Sequence, residues 1–260
     1  MKFFFQRILV IFVNSKFFRF MLFRATLIPK EESTKIKSVE ELSFLGYSMA
    51  HIGSNCSQLN QDAWVLFKTN SKSNGYFVEV GACDPIRLSN TYYLESKYAW
   101  DGLLVEPNPA LRFELERMRK AKVISCAVGP RGLIELYVAE NPEFTTSSLV
   151  KKDARHKLFK NSGRVVQVES IPLTDIFFEN NTPKYFDFLS VDVEGSEYQV
   201  LSSNDWSKWR PKFVVVEHNF RGDRIRIRSY MLSNGYVVSK ENSPYSWDDW
   251  FEDANPRIEL

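Results

Sequence analysis

Several apolar runs in this 260-residue chain stop on residues that can do chemistry. The first reads Glu79-Val80-Gly81-Ala82-Cys83-Asp84, where Gly81 lacks a β-carbon and lets a ligand approach the backbone. The second ends Glu106-Pro107-Asn108, a carboxylate whose two oxygens can accept hydrogen bonds from a vicinal diol such as a ribose. Two later runs end Ser190-Val191-Asp192-Val193-Glu194-Gly195 and Glu217-His218-Asn219. Acids brought to one mouth are costly to bury without a partner or a shifted pKa, which marks Asp192, Glu194, Glu217 and His218 as candidate proton acceptors and positioning groups. An unperturbed histidine titrates at about 6.5, near working pH, while the competing role for His218 is packing. Glu106 has a competing role too, as the cap of the next helix. Carboxylates from two neighbouring strand ends form a second device, able to hold a divalent cation that lowers the pKa of a bound hydroxyl. No metal-ligand set is assigned among them.

The elements that must position these groups are near-continuous apolar strands: Tyr76–Val80, Gly102–Glu106, Lys122–Ser125, Phe186–Val191 and Lys212–Glu217. Such runs fit strands covered on both faces of a parallel sheet. Helices are expected after Asn108, after Gly195 and from Arg224 to Leu232, the last stopping at Asn234-Gly235 before the strand Tyr236-Val237-Val238. The alternation predicts a doubly wound α/β fold, with ligands beyond the carboxyl ends of the strands. Leu133–Val138 and Arg164–Val168, flanking a basic stretch from Lys151 to Lys160, read as an insertion paired antiparallel at the sheet edge. Neither G-x-G-x-x-G nor a phosphate-cradling GxxxxGK[ST] loop occurs, so a ribose site without a phosphate site points to an adenosyl group.

Composition narrows the class of partner. With 44% hydrophobic and 25% charged residues and a formal charge of +2, the chain reads as globular, and nothing in the balance calls for nucleic acid. Cys56, Cys83 and Cys126 make no metal or disulfide pattern, so a reducing, cytoplasmic setting is expected and the thiols are read as packing groups. Residues 1–30 are basic and aromatic-rich, yet Arg7, Asn14, Lys16 and Arg19 interrupt every spanning window. The segment suits either a peripheral membrane contact or packing on the body. Residues 31–54 are expected to be a linker and cap, 55–240 the main domain, and 241–260 an aromatic and acidic tail. In that tail Trp247, Trp250 and Phe251, with Asp248 and Asp249, suit packing on the body or stacking on a sugar. The arginine run Arg221, Arg224, Arg226 and Arg228 suits a solvated helix face or an acidic ligand.

Taken together, Ser57-Gln58-Leu59-Asn60-Gln61-Asp62, Phe77–Ala82, Ser89-Asn90-Thr91, Trp100–Pro109 and Asp187–Gly195, in that order, resemble the FkbM-type methyltransferases over roughly residues 55 to 240. The resemblance implies a Rossmann-like class I methyltransferase fold and S-adenosylmethionine as donor. It implies that Glu79, Gly81 and Ala82 lie near the donor's methionine part, Glu106 at its ribose and Cys126-Ala127 on its adenine side, with Asn90 and Asp192 also among the donor-binding residues. A small-molecule or glycan acceptor, methylated on a hydroxyl, is the activity it implies, the alternatives being a metal-assisted small-molecule O-methyltransferase and a non-catalytic adenosyl-binding module. Asp84-Pro85 departs from the further glycine that many class I enzymes carry there.

Overall fold

The computed structural model describes residues 39–51, 53–139, 147–148, 163–219, 222–242 and 246–256. The N-terminal segment 1–30, the charged linker 30–37, the basic stretch 151–160 and Arg221 lie outside the described residues.

Strands β1 (Tyr76–Val80), β2 (Asp101–Val105) and β3 (Lys122–Ile124) run parallel to one another. On the other side of β1, β8 (Tyr185–Val191) and β9 (Arg210–Glu217) continue the sheet in the same direction. The sheet order is β10-β11-β9-β8-β1-β2-β3, where β10 is Tyr236–Val238 and β11 is Asp248–Asp253. Strand β11 is antiparallel to both neighbours. The chain reverses its direction of winding at β1, which places a crevice between the carboxyl ends of β1 and β8, where open α/β sheets take ligands.

The apolar runs become strands because both faces of this sheet are covered. Val78, Leu103 and Leu189 pack into one core, and their sequence neighbours Phe77, Leu104 and Phe188 into the other. Helices α3 (Tyr92–Tyr98), α4 (Arg112–Met118), α5 (Leu173–Glu179), α6 (Glu197–Ser202) and α7 (Arg224–Ser233) connect the strands. Ahead of β1 lie α1 (Val39–Ala50) and α2 (Gln61–Lys68), and Phe44 of α1 sits edge-on to Trp250 of β11 at 5.8 Å. The α/β architecture with a mostly parallel sheet is the expected one. No helix among the described residues is long and apolar enough to cross a membrane.

Three local expectations need correcting. The helix expected from Asn108 begins at Arg112, because Asn108 Oδ1 accepts the Ala110 N–H (3.1 Å) and holds the Pro-Asn-Pro segment in a turn. The insertion does pair antiparallel, β5 (Gly132–Ala139) against β7 (Gly163–Ile171). It belongs to a separate four-stranded sheet with β4 (Ala127–Val128) and β6 (Ser147–Ser148), rather than to the main sheet's edge. The aromatic and acidic tail threads between β9 and β10 as a strand, with Trp250 and Phe251 buried in it.

Candidate active site

A cavity of about 410 Å³ opens at the carboxyl ends of β1, β2, β8 and β9. Its volume is that of an ordinary small-molecule site. Every expected site residue except His218 lines it: Glu79, Gly81, Ala82, Asn90, Glu106, Cys126, Ala127, Asp192, Glu194 and Glu217.

Gly81 has φ 89°, and a β-carbon built there would run into the carbonyl oxygen of Asp192. The glycine is therefore required by the closeness of the β1 and β8 ends as well as by any ligand. Across the crevice, Glu106 is almost wholly buried, its Oε2 accepting the Cys83 N–H (2.9 Å) and its Oε1 the Asn108 N–H (2.8 Å). Burial raises its pKa and the two N–H donors oppose that rise. Each oxygen keeps a lone pair for a ligand. Cys83 reaches its bond at φ 46°, and the departure at Asp84-Pro85 is stabilised by Asp84 Oδ1 accepting the Ile86 (2.9 Å) and Arg87 (2.6 Å) N–H groups. The Cys126 thiol is pushed up to about 12, chiefly by burial, so it stays neutral and forms part of the wall.

Glu79 lines the cavity but is already occupied. Its Oε1 accepts the Asn90 N–H (2.7 Å), and its Oε2 accepts the Ser89 (3.0 Å) and Thr91 (2.5 Å) hydroxyls. Arg119, whose side chain has no exposure, lies beneath: Nη1 is 3.7 Å from Glu79, and Nε donates to Glu95 at 3.0 Å. The glutamate thus fixes the Ser89-Asn90-Thr91 turn, and Asn90 is what the turn presents. Asn90 Nδ2 donates to Ser190 Oγ (2.9 Å), while its buried Oδ1 has no protein partner.

At the opposite end Asp192, Glu194 and Glu217 converge, one oxygen of each within 4.8 Å of the others. Glu217 Oε2 is sealed from solvent and receives no protein donor. Burial, then Asp192, pushes the Glu217 carboxyl up to about 12, and burial, then Glu194, pushes Asp192 well up. Each of these carboxyls therefore opposes ionisation of the other. Such a constellation can pass a proton or take a hard divalent ion.

His218 stands apart from this mouth. Its ring is wholly buried, with Nε2 3.5 Å from Asp249 Oδ1. Asp249 also takes Arg228 (2.6 Å) and Arg224 (3.1 Å), which ties both partly exposed arginines to a buried carboxylate, and Arg226 lies over the Tyr198 ring at 3.5 Å. Burial acts to raise the Asp249 pKa, but His218, Arg228 and Arg224 win and hold it well below the usual carboxylate range. Of the described tail residues, only Trp247 and Asp248 line the cavity.

Gln58, Gln61, Trp247 and Asp248 are lining residues that the strand-end reasoning passes over. Gln61 lies in a motif quoted for the family resemblance, and Asp248 in the acidic tail; only their meeting shows what they do. Asp248 is pushed up to about 7, first by burial, against the bond from Gln61. An unfolded aspartate titrates at about 3.9, so between about pH 4 and 7 the folded chain holds a proton that the unfolded chain has lost, and stability falls as pH rises through that window. Asp248→Asn is expected to gain melting temperature over the parent on going from pH 5 to pH 8; a pH-independent difference would contradict the assignment.

A curated relative, Methyltransferase 1 of Beauveria bassiana (strain ARSEF 2860), is 26% identical over 179 residues, covering 61% of this chain and 72% of the relative. Among solved structures, precorrin-6y C5,15-methyltransferase from Geobacter metallireducens GS-15 aligns with TM-score 0.39 at 11% identity, over 73% of this chain and 84% of that one. TYW2 from M. jannaschii, solved in complex with AdoMet, aligns with TM-score 0.34 at 12% identity, over 85% and 80%. The family model described as the methyltransferase FkbM domain matches residues 79–238, which run from the first strand-end acid to β10. That match spans more than half of the chain and the whole of the cavity's parallel-strand wall, and the protein belongs to the FkbM methyltransferase family.

Proposed function

We propose that the chain transfers a methyl group from S-adenosylmethionine to a hydroxyl of a sugar or sugar-like acceptor. The observation that carries the donor half is Glu106, fixed by two backbone N–H groups with its remaining lone pairs toward the cavity, opposite the Gly81 turn. The residues present suit the donor: Glu106 for the ribose, Cys126 and Ala127 for the adenine side, the Gly81-Ala82 backbone and the partnerless Asn90 Oδ1 for the methionine end. When bound, the sulfonium supplies an already activated methyl group. The chain's own work is alignment of the acceptor, exclusion of water and acceptance of the released proton, for which the mouth supplies several carboxyl groups. The acidic mouth suits a neutral polyol better than an acidic glycan. The sugar rests on the family's frequent association with glycan and natural-product tailoring.

Calorimetric titration with S-adenosylhomocysteine tests the reading before any acceptor is known. The parent is expected to bind, and Glu106→Gln to lose roughly 10- to 150-fold in affinity, the value of about 1.5–3 kcal/mol for hydrogen bonds to a charged group. Equal affinity in both proteins would remove Glu106 from the ribose.

The convergence of Asp192, Glu194 and Glu217 favours a second reading, in which a divalent ion held there activates the hydroxyl. Manganese would then bind at one site per chain and be lost in Glu217→Gln; full turnover after exhaustive chelation would exclude it.

A further inference from the structure

Two segments 187 residues apart in the chain meet at the acceptor end of the cavity. Gln61, in the first turn of α2, donates from Nε2 to Asp248 Oδ2 at 2.6 Å. The orientation of the amide is set independently, because Gln61 Oε1 accepts the Leu59 N–H at 2.8 Å, which leaves the NH₂ group facing Asp248. Both side chains are about 3% exposed, yet both line the cavity. Asp248 stands directly across from Glu217 in the β11–β9 pairing, so its side chain shares the face of the Asp192–Glu217 pair. The strand start is pinned as well: the His218 (2.7 Å) and Asn219 (3.0 Å) N–H groups both donate to the Trp247 carbonyl. Trp250 also faces this carboxylate, and an oxygen not taken by the Gln61 amide keeps a lone pair with which to accept from a ligand.

We propose that Gln61 and Asp248 form the acceptor subsite, in which Asp248 Oδ1 accepts the hydrogen bond of the hydroxyl to be methylated and takes its proton as the oxygen–methyl bond forms and the donor's sulfur–methyl bond breaks, while Gln61 holds the carboxylate in place for it. The inference rests on the methyl-transfer reading and names the group that touches the substrate. Its ligand class is an alcohol or polyol that donates a hydrogen bond. Asp248 is the catalytic residue in this scheme, and Gln61 is a positioning residue acting through it.

The isosteric Asp248→Asn isolates the contact, because an asparagine Oδ1 still accepts from Gln61 while its NH₂ group presents a donor where the hydroxyl needs an acceptor. The test follows methyl transfer from labelled S-adenosylmethionine to a panel of methyl hexosides and methyl 6-deoxyhexosides, with S-adenosylhomocysteine calorimetry on every protein. Asp248→Asn is expected to lower kcat/KM about 100-fold while homocysteine-analogue affinity stays within about two-fold. Gln61→Leu is expected to lose about ten-fold, and Asp248→Asn/Gln61→Leu no more than Asp248→Asn alone, since Gln61 then has nothing to position. Undiminished kcat/KM in Asp248→Asn, or additive losses in the double variant, overturns the subsite and leaves the methyl-transfer reading standing. Loss of S-adenosylhomocysteine binding in Asp248→Asn also overturns it, by placing Asp248 on the donor. A parent that binds S-adenosylhomocysteine but methylates no panel member overturns the subsite together with the hydroxyl acceptor, and a parent that does not bind it overturns the reading itself.

Discussion

Arg119→Met is expected to destabilise the protein by about 3–5 kcal/mol, the usual cost of removing one partner from a buried ion pair. The side chain of Arg119 has no exposure and serves two carboxylates, donating to Glu95 and lying 3.7 Å from Glu79. It also donates to Thr91 Oγ1 (2.8 Å), Ser89 Oγ (3.2 Å) and the Pro85 carbonyl (3.2 Å). A methionine fills most of the volume and answers none of these acceptors. For a domain of this size each kcal/mol moves the melting temperature by about 2–4 °C, so a drop of roughly 10 °C is expected by calorimetry. Affinity for S-adenosylhomocysteine should fall with it, because the Ser89-Asn90-Thr91 turn loses the support beneath Glu79. Arg119→Lys, which keeps the charge but not the planar fork, should fall between. A methionine variant melting within 2 °C of the parent would show that the two glutamates are neutralised some other way.

Gly81→Ala is the second large effect, and it acts on the site directly. The added methyl meets the Asp192 carbonyl oxygen, on backbone and not on a side chain that can swing aside. The ladder continues past the strand ends at this point, with Gly81 N–H donating to Val105 (2.8 Å) and Asp192 N–H to Val80 (3.0 Å), so β1 and β8 must part to admit it. Overpacking of this kind costs about 1–3 kcal/mol, and the left-handed backbone at φ 89° adds about another 1–2. S-adenosylhomocysteine binding is expected to weaken beyond 100-fold in calorimetry, since the turn that faces Glu106 is displaced. Binding at parental strength would mean that the β1–β8 crevice is not the donor site.

The contrast between these two positions shows which features a one-dimensional reading can reach. Gly81 announces itself, because an acid-x-glycine turn after an apolar run has a local meaning. Arg119 does not: it is one cation among several after α4, and only the convergence of Glu79, Glu95 and Thr91 around it gives it a role. The parallel strands were legible because residues such as Phe77 and Val78 are both apolar, and that follows from burial on two faces. Strand β11 was hidden for the opposite reason. Asp248 and Asp249 look like surface residues, and they enter the sheet only because Gln61 meets one while Arg224, Arg228 and His218 meet the other. The same partners explain the fate of His218, whose strand-end position suggested a base and whose alternation along the chain turns it away from Glu217 to the opposite side of the sheet. The acids Asp192, Glu194 and Glu217 were recognisable as a group; their mutual repulsion required the distances.

The placement of β11 also constrains how the fold is assembled during vectorial synthesis. Among the described residues strand β10 has no sheet neighbour except β11, which emerges later and must slot between it and β9. Until residues 248–253 leave the ribosome, β9 is an open edge and β10 is stranded beside it, a window in which the nascent chain is exposed to mispairing. Closure of that gap also delivers Asp248, so pairing of the seven-stranded sheet and placement of this residue on the cavity wall coincide in time.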